Sequence, residues 1–301
     1  MRSFYHFLTH PKDILIGLLG KTARFWPDKI FLEVSYFLRT GKRLDLSNPI
    51  TFTEKLNWLK INDIHAEYSL LVDKYTAKTV VKDKLGNADI IIETLGVWSE
   101  PQDIDFDLLP NKFVLKTTNG GGNNNVVICE DKNLLSQEVI KHRLRLQGGA
   151  KLYDWSREYP YKNFKPKIIA EKLLENRTGD IPDYKFFCFN GKVKFLKIDT
   201  TRHISHHATY LYPNWELAPF RELELPSLDI NNLPAPPSNL EEMIRIAEVL
   251  SDGIPFLRVD LYNIEGKIYF GEMTLFPAAG FGMFTPYEWE IKIGEYLQLP
   301  R

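Results

Sequence analysis

Residues 255–282 read PFLRVDLYNIEGKIYFGEMTLFPAAGFG, and the fold turns on them. Phe256 to Tyr262 and Lys267 to Met273 alternate apolar and polar residues around Asn263-Ile264-Glu265-Gly266. Such alternation, rich in β-branched and aromatic residues about a Gly-containing turn, predicts a β-hairpin. Asp260 and Glu272 interrupt runs that otherwise look buried. Residues two apart in a strand share a face, so Arg258 and Asp260 point the same way. A buried carboxylate pair is costly unless a cation satisfies it. Two readings meet that need. One is a divalent cation with oxygen ligands, such as Mg²⁺ bound by one or two carboxylates and substrate phosphates. The other is a structural salt bridge from Arg258 on a half-exposed hairpin.

The rest of the chain frames the choice. It has 301 residues, 44% hydrophobic and 26% charged, which suits a folded protein of two domains or one large α/β unit. The formal net charge of −1 supplies no overall basic field for nucleic acid. Cys129 and Cys188 lie in apolar strand-like runs, as small buried hydrophobes of a reducing compartment do, and no metal-type Cys/His spacing occurs. The apolar run Ile14–Leu19 is too short for a signal peptide, and no stretch is long enough to cross a bilayer. A cytoplasmic protein is expected.

Residues 1–50 are aromatic and basic: Arg2, Lys12, Lys21, Arg24, Lys29, Arg39, Lys42 and Arg43 outnumber Asp13, Asp28, Glu33 and Asp45. Phe31, Val34, Phe37 and Leu38 have helical spacing. Such a segment either caps the main domain or touches an anionic membrane peripherally. Thr51 or Thr53 can cap a helix running through Leu56, Trp58, Leu59 and Ile61. A single helix is expected over Leu70–Lys84, with Lys74, Lys78, Lys82 and Lys84 on a solvated side and Lys74 within reach of a substrate anion. Ile90-Ile91-Ile92 and Leu95-Gly96-Val97 suggest a strand and turn. Asp103, Asp105 and Asp107 form Asp-x-Asp patterns in a connector without a leading apolar strand, and read as a solvated loop.

Phe113–Thr118 and Val126–Cys129 form a second predicted hairpin, whose loop Asn119–Asn125 is all Gly and Asn. These residues tolerate positive φ and let backbone N–H groups turn toward an anion, with Lys116 just ahead of them. The loop lacks the Gly-Lys-Ser/Thr of a P-loop. A helix over Leu134–Leu146, a loop over Lys151–Lys165 and a strand over Lys167–Glu175 follow. Asn190-Gly191 between alternating apolar runs is a strong hairpin signal for Asp183–Phe189 and Lys192–Ile198. Thr200–Glu222 holds Arg202, His203, His206, His207, Tyr210, Tyr212 and Trp215, a loop suited to a sugar or an anion. Asn231–Asn239 is a Pro-rich linker, and Leu240–Leu250 an amphipathic helix.

Taken in order, these pieces resemble the ATP-grasp superfamily. The order is a strand Lys with a Gly-rich hairpin loop, a strand ending Glu-Lys-Leu-Leu, an acidic residue opening a strand, then Arg-x-Asp and Glu-x-Thr. The chain is similar, over about residues 48–285, to the TupA-like branch, linked to teichuronopeptide and other surface-polysaccharide synthesis. The phrases are NPITFTEKLNWLK (48–60), VDKY (72–75), LPNKFVLK (109–116), DYKFFCFNG (183–191), RVDLY (258–262) and FGEMT (270–274). The resemblance implies an α/β (α+β) ATP-grasp fold, two α+β subdomains clasping a nucleotide. Its segments would be an N-terminal helical extension (1–50), a preceding region (51–110), a lid subdomain (111–174) and a C-terminal subdomain with a metal site (175–301).

Carried over position by position, the resemblance implies the following site. Lys116 contacts the phosphates of ATP, and the loop from Asn119 through Gly120, Gly121 and Gly122 to Asn125 closes over them. Glu171, Lys172 and Leu174 belong to the nucleotide site, with backbone groups of Lys172 and Leu174 reading the adenine. Asp183 binds the ribose, Lys185 reaches phosphates, and Arg258 stabilises the transferring phosphoryl group. Asp260 and Glu272 hold Mg²⁺. Thr274 stands where such enzymes commonly carry Asn as a further metal ligand, which puts a second metal in question. Ala278-Ala279-Gly280-Phe281-Gly282 resembles the small-residue loop of the acceptor pocket. The implied activity is an ATP-dependent carboxylate–amine ligase joining an amino acid or amine to a sugar acid of a surface polysaccharide. A sugar kinase and a degenerate polysaccharide-assembly module are the alternatives.

Overall fold

The structure, a computed structural model, describes residues 11–119, 126–148, 152–176, 181–200, 207–222 and 233–300. Helices α1 (Pro11–Lys21), α2 (Asp28–Thr40) and α3 (Phe52–Asn62) precede the shorter α4 (Tyr68–Val72) and α5 (Thr76–Leu85). Strands β1 (Thr94–Trp98), β2 (Phe113–Thr117) and β3 (Val126–Cys129) lead to α6 (Gln137–Gly148) and α7 (Leu152–Ser156). Then come β4 (Ile168–Lys172), β5 (Asp183–Phe189), β6 (Lys192–Thr200), β7 (His207–Leu211) and β8 (Arg221–Glu222). Helix α8 (Leu240–Ser251), the hairpin β9 (Phe256–Ile264) and β10 (Lys267–Thr274), β11 (Phe284–Thr285) and α9 (Glu288–Tyr296) complete it. The chain divides into two compact units: Met1–Ala66 with Lys151–Asn163 and Phe276–Arg301, and Glu67–Ala150 with Phe164–Leu275.

The first unit is helical. Thr51 starts α3 with a full capping box: its side chain accepts from Glu54 N, and Glu54 Oε2 accepts from Thr51 N at 2.9 Å. The neighbouring candidate cap, Thr53, instead donates its hydroxyl to buried Glu290 on α9 at 2.9 Å. Glu290 also accepts from Phe284 N at 2.6 Å, and burial raises its pKa above the usual carboxylate value. Lys60 is buried on α3. Its ammonium donates to Ala279 O at 2.6 Å and Asn57 Oδ1 at 3.0 Å, and Asn57 Nδ2 donates to Gly280 O at 2.7 Å. Ala278, Ala279 and Gly280 all have left-handed backbones, with φ of 48°, 51° and 70°. A non-Gly residue resists that conformation, and the side chains of α3 hold the carbonyls of this turn in place.

The second unit carries two antiparallel sheets. The four-stranded sheet runs β1-β4-β2-β3, and Phe113, Leu115, Ile168 and Ala170 pack with Ile140 and Leu144 of α6. The five-stranded sheet runs β10-β9-β5-β6-β7. Met243, Ile246, Ala247 and Leu250 of α8 are buried, and Cys188 Sγ on β5 donates to Ala247 O at 3.7 Å, so α8 covers one face. Because strand residues alternate, Asp183, Lys185, Phe187 and Phe189 point to the other face. One end of that face is aromatic: Phe187 stacks on Phe195 at 4.6 Å, and Phe189 meets Phe256 edge-on at 5.1 Å. Its other end is charged.

Several expectations need correction. The helix expected over Leu70–Lys84 breaks at Asp73, whose carboxylate accepts from Tyr75 N at 2.7 Å and Thr76 N at 2.9 Å and starts α5. Ile90 and Ile92 are buried but lie outside a strand, which begins at Thr94. The expected loop at Lys151–Lys165 contains α7, and Thr200–Glu222 contains β7. The turn at Asn190-Gly191 forms as expected, with φ of 47° and 78°. Cys129 and Cys188 are free and buried, and Asp103, Asp105 and Asp107 are exposed. Gly120–Gly122, His203 and His206 lie outside the described residues. Among the described residues, no helix is long and apolar enough to cross a membrane.

Candidate active site

Register places the charged side chains of the five-stranded sheet. Glu272 pairs with Asp260, Asp260 with Lys185, Lys185 with Lys197, and Lys197 with Tyr210, one row across every strand. Thr274 pairs with Arg258 one step along, and Asp183 with Asp199 on the other side of the row. This alignment depends on a bulge. Phe270 pairs with Leu261 and Glu272 with Asp260, so Gly271 is an extra residue in β10. In a regular register of the same sequence Gly271 would pair with Asp260, and Glu272 would stand opposite core-facing Val259. A Cβ on Gly271 would stand 3.0 Å from Asp260 O and 3.3 Å from the Tyr262 ring, a close approach that glycine permits.

The row neutralises itself. Arg258 clamps Asp260 through Nε at 2.7 Å and Nη2 at 2.8 Å, and Nη2 reaches Glu272 Oε1 and Thr274 Oγ1, each at 3.1 Å. Lys185 Nζ pairs with Asp183, with Asp260 at 2.8 Å and with Asp199 at 3.6 Å. Lys197 lies 3.6 Å from Asp199 and 3.3 Å from Glu222. Lys74 closes the edge, 3.1 Å from Glu272 Oε2. Burial dominates Asp260 and raises its pKa despite Arg258 and Lys185. Burial pushes Glu272 the same way, but Lys74, Arg258 and Lys185 together outweigh it and hold its carboxyl well below the usual range.

A second cluster sits on the four-stranded sheet of the same unit. Glu171 on β4 is buried between two ammonium groups, Lys116 on β2 at 2.5 Å and Lys78 on α5 at 2.6 Å. Lys78 also donates to Ile92 O at 2.7 Å and Thr94 Oγ1 at 2.6 Å. Burial raises the Glu171 pKa and the two lysines lower it further, leaving it ionised. Burial lowers the Lys78 pKa against the pull of Glu171. Asn119 is buried at the end of this sheet, where Thr117 Oγ1 donates to its carbonyl at 3.3 Å. Lys172 N donates to Glu93 O at 3.0 Å, and Leu174 is half-buried beyond the strand end. Lys74 joins the two sheets: its N–H donates to Thr118 O at 3.0 Å, and its side chain pairs with Glu272.

The structure therefore gathers Asp183, Lys185, Arg258, Asp260, Glu272 and Thr274 on one sheet face, and Lys116 with Glu171 on the other sheet. It adds residues that the sequence reading missed. Lys78 is a partner of Glu171 and not part of a solvated stripe, and Lys197 and Asp199 extend the charged row. A second bulge hid the last two. From the Asn190-Gly191 turn, Cys188 pairs with Val193 but Phe187 with Phe195, so the register advances by one at Lys194.

The donor set suits an oxygen-preferring divalent cation. Asp260 and Glu272 face each other across the hairpin with the Thr274 hydroxyl beside them. Among the described residues no group of three or more His, Cys, Asp or Glu is arranged to hold an ion. Two carboxylates are the usual protein share at a Mg²⁺ that draws its remaining ligands from phosphates and water.

Comparison with known proteins gives the family. A search of curated proteins returns no significant match. An N5-carboxyaminoimidazole ribonucleotide synthetase solved with ADP is 15% identical, with 73% of this chain and 50% of that one covered and a TM-score of 0.43. The Staphylococcus aureus N5-carboxyaminoimidazole synthetase with ADP is 15% identical over 68% of this chain and 45% of its own, TM-score 0.41. D-alanine–D-alanine ligase from Bacillus anthracis with ATP is 15% identical over 78% and 69%, TM-score 0.40. The chain thus spans about half the length of the two synthetases. The TupA-like ATP-grasp profile matches residues 54–298, from the start of α3 to just past α9. That span includes both charged clusters, and this chain belongs to the TupA-like ATP-grasp family.

Proposed function

We propose that the chain is an ATP-dependent carboxylate–amine ligase that joins an amino acid or amine to a sugar acid during surface-polysaccharide synthesis. The observation that carries this reading is the row Glu272–Asp260–Lys185, half-buried at Glu272 and buried at the other two, with Arg258 across it, a preorganised set of cations and carboxylates on one sheet. Such sets stabilise developing charge without reorganising. Lys116 and Lys78 offer ammonium groups to the phosphates of ATP, and Asp183 offers a carboxylate to ribose hydroxyls. Asp260, Glu272 and Thr274 would hold Mg²⁺, which, when bound, neutralises charge on the β- and γ-phosphates.

In the reaction a carboxylate oxygen of the sugar acid attacks the γ-phosphorus and ADP leaves, giving an acyl phosphate. Lys185 and Arg258 would hold the phosphoryl oxygens as charge shifts onto them. The amine then attacks the acyl carbon, phosphate leaves, and the nitrogen gives up a proton.

The test has two stages. Thermal stability is measured with Mg²⁺ and a non-hydrolysable ATP analogue for the wild type and for Asp260→Asn plus Glu272→Gln. A ligand that binds only the folded state raises stability by mass action, and that rise should vanish in the double variant. ADP release is then followed across sugar acids paired with amines. Dependence on both partners supports the ligase. A phosphorylated sugar without an amide identifies a kinase, and no nucleotide effect in the wild type removes the catalytic reading.

A further inference from the structure

The N-terminal helices present an apolar stripe to solvent. Helix α1 buries Leu19 and Gly20, and the turn after it buries Ala23, which clusters with Leu19 and Phe31. Its opposite side leaves Ile14, Leu15 and Leu18 exposed, and the turn beyond it leaves Phe25 72% and Trp26 37% exposed. Ile14 and Leu18 lie one turn apart on α1, and Thr22 follows just past its end. Trp26 Nε1 donates to Thr22 Oγ1 at 3.1 Å, which lays the indole along this line. Ile30 is again exposed.

The charges beside the stripe name its partner. The exposed Lys12, Lys21, Arg24 and Lys29 flank it, and the Arg24 guanidinium lies 4.6 Å over the Phe25 ring. Of the acids in this stretch, Asp13 stands beside Lys12 in the sequence, and Asp28 is engaged internally by Arg157 at 2.9 Å. Residues 11–43 hold seven Lys and Arg against three Asp and Glu, although the chain as a whole carries −1. An apolar line with aromatic residues at a helix junction, edged by cations, matches an anionic bilayer interface.

We infer that the face formed by Ile14, Leu18, Phe25, Trp26 and Ile30, with Lys21, Arg24 and Lys29, docks on anionic lipid headgroups and lies in the membrane plane. It stands ahead of residues 54–298, the part that matches the family, and is independent of the proposed reaction.

The experiment is co-sedimentation of the full chain with phosphatidylcholine vesicles, with and without 30% phosphatidylglycerol. Binding is expected only with the anionic lipid and should weaken in 0.5 M salt. Replacing Lys21, Arg24 and Lys29 by Gln should weaken it on the order of 100-fold, each charge near the surface contributing roughly five-fold. Leu18→Ser with Phe25→Ser should abolish it while circular dichroism and Tm stay unchanged, because both residues are exposed. The inference is overturned if the wild type fails to bind anionic vesicles, or binds neutral ones equally. It is also overturned if either variant binds like wild type, or if the serine variant instead splits a dimer, which would make a second copy the occupant.

Discussion

Replacing Lys185 by Met tests whether the charged row is one electrostatic unit. The ammonium lies 2.8 Å from Asp260 and 3.6 Å from Asp199, and it also pairs with Asp183. At an effective dielectric of about 20, those two distances correspond to gross attractions of about 6 and about 5 kcal/mol. Desolvation of the ammonium offsets much of this, and removing one partner of a buried set typically costs about 3–5 kcal/mol. For a domain of this size that loss lowers Tm on the order of 10 °C. Met retains most of the apolar stem, so the cost isolates the charge. The loss should depend on pH in a fixed direction. Burial already raises the pKa of Asp260, and with Lys185 gone the pull that opposes it is weaker, so Asp260 binds its proton more tightly in the folded than in the unfolded chain. Folded pKa values raised in this way give stability that is present at low pH and lost as pH rises. The deficit against wild type should therefore be larger at pH 7.5 than at pH 5.5. Urea unfolding followed by circular dichroism at both pH values reads it. A deficit below about 1 kcal/mol, or one identical at the two pH values, would mean that these contacts behave as surface ion pairs and would refute the reasoning.

Further predictions concern single contacts. Gly271→Ala puts a Cβ 3.0 Å from Asp260 O, so the hairpin must shift; a loss of about 1–3 kcal/mol and a weakened Mg²⁺–nucleotide stabilisation should appear together in thermal unfolding. Glu171→Gln leaves Lys78 and Lys116 without their shared carboxylate, and a loss of about 3–5 kcal/mol is expected in a urea titration. Burial lowers the Lys60 pKa to about 7, against about 10.4 in an unfolded chain. Between these values the unfolded chain binds the extra proton, so this residue makes stability rise with pH. Comparison of urea midpoints at pH 7.5 and 9.5 should show that rise in the wild type and lose it in Lys60→Met. Burial raises the pKa of Glu158, so its contribution runs the other way and is lost as pH climbs through its folded value.

Local patterns carried much of this molecule. The three hairpins were legible because alternation and turn residues are local, and the Thr51 start of α3 needed only a four-residue box. Arg258, Asp260 and Glu272 stood out as charges inside apolar runs. What stayed hidden depends on register and tertiary contact. Both bulges, at Gly271 and Lys194, shift pairing by one residue, and their only local trace is one change of phase in the alternation, from Ile268 and Phe270 to Met273 and from Val193 to Leu196. Lys78 sits on a helix rich in lysine, and only the neighbouring sheet distinguishes its inward direction from that of exposed Lys82. The grip of Lys60 on Ala279 joins residues far apart in sequence, and a mid-helix lysine gives no local sign of burial.

The bulge in β10 has a consequence for changes in chain length. Gly271 pairs with nothing, while Phe270 and Glu272 already face consecutive residues of β9. Deleting it would leave every partner on either side in place and convert β10 into a regular strand. Adding a methyl group there is thus more harmful than removing the whole residue. A deletion would still bring Glu272 beside Asp260, but without the sharpened local twist that a bulge supplies. Related chains one residue shorter at this point could keep the same cluster and differ only in how its outermost carboxylate is aimed.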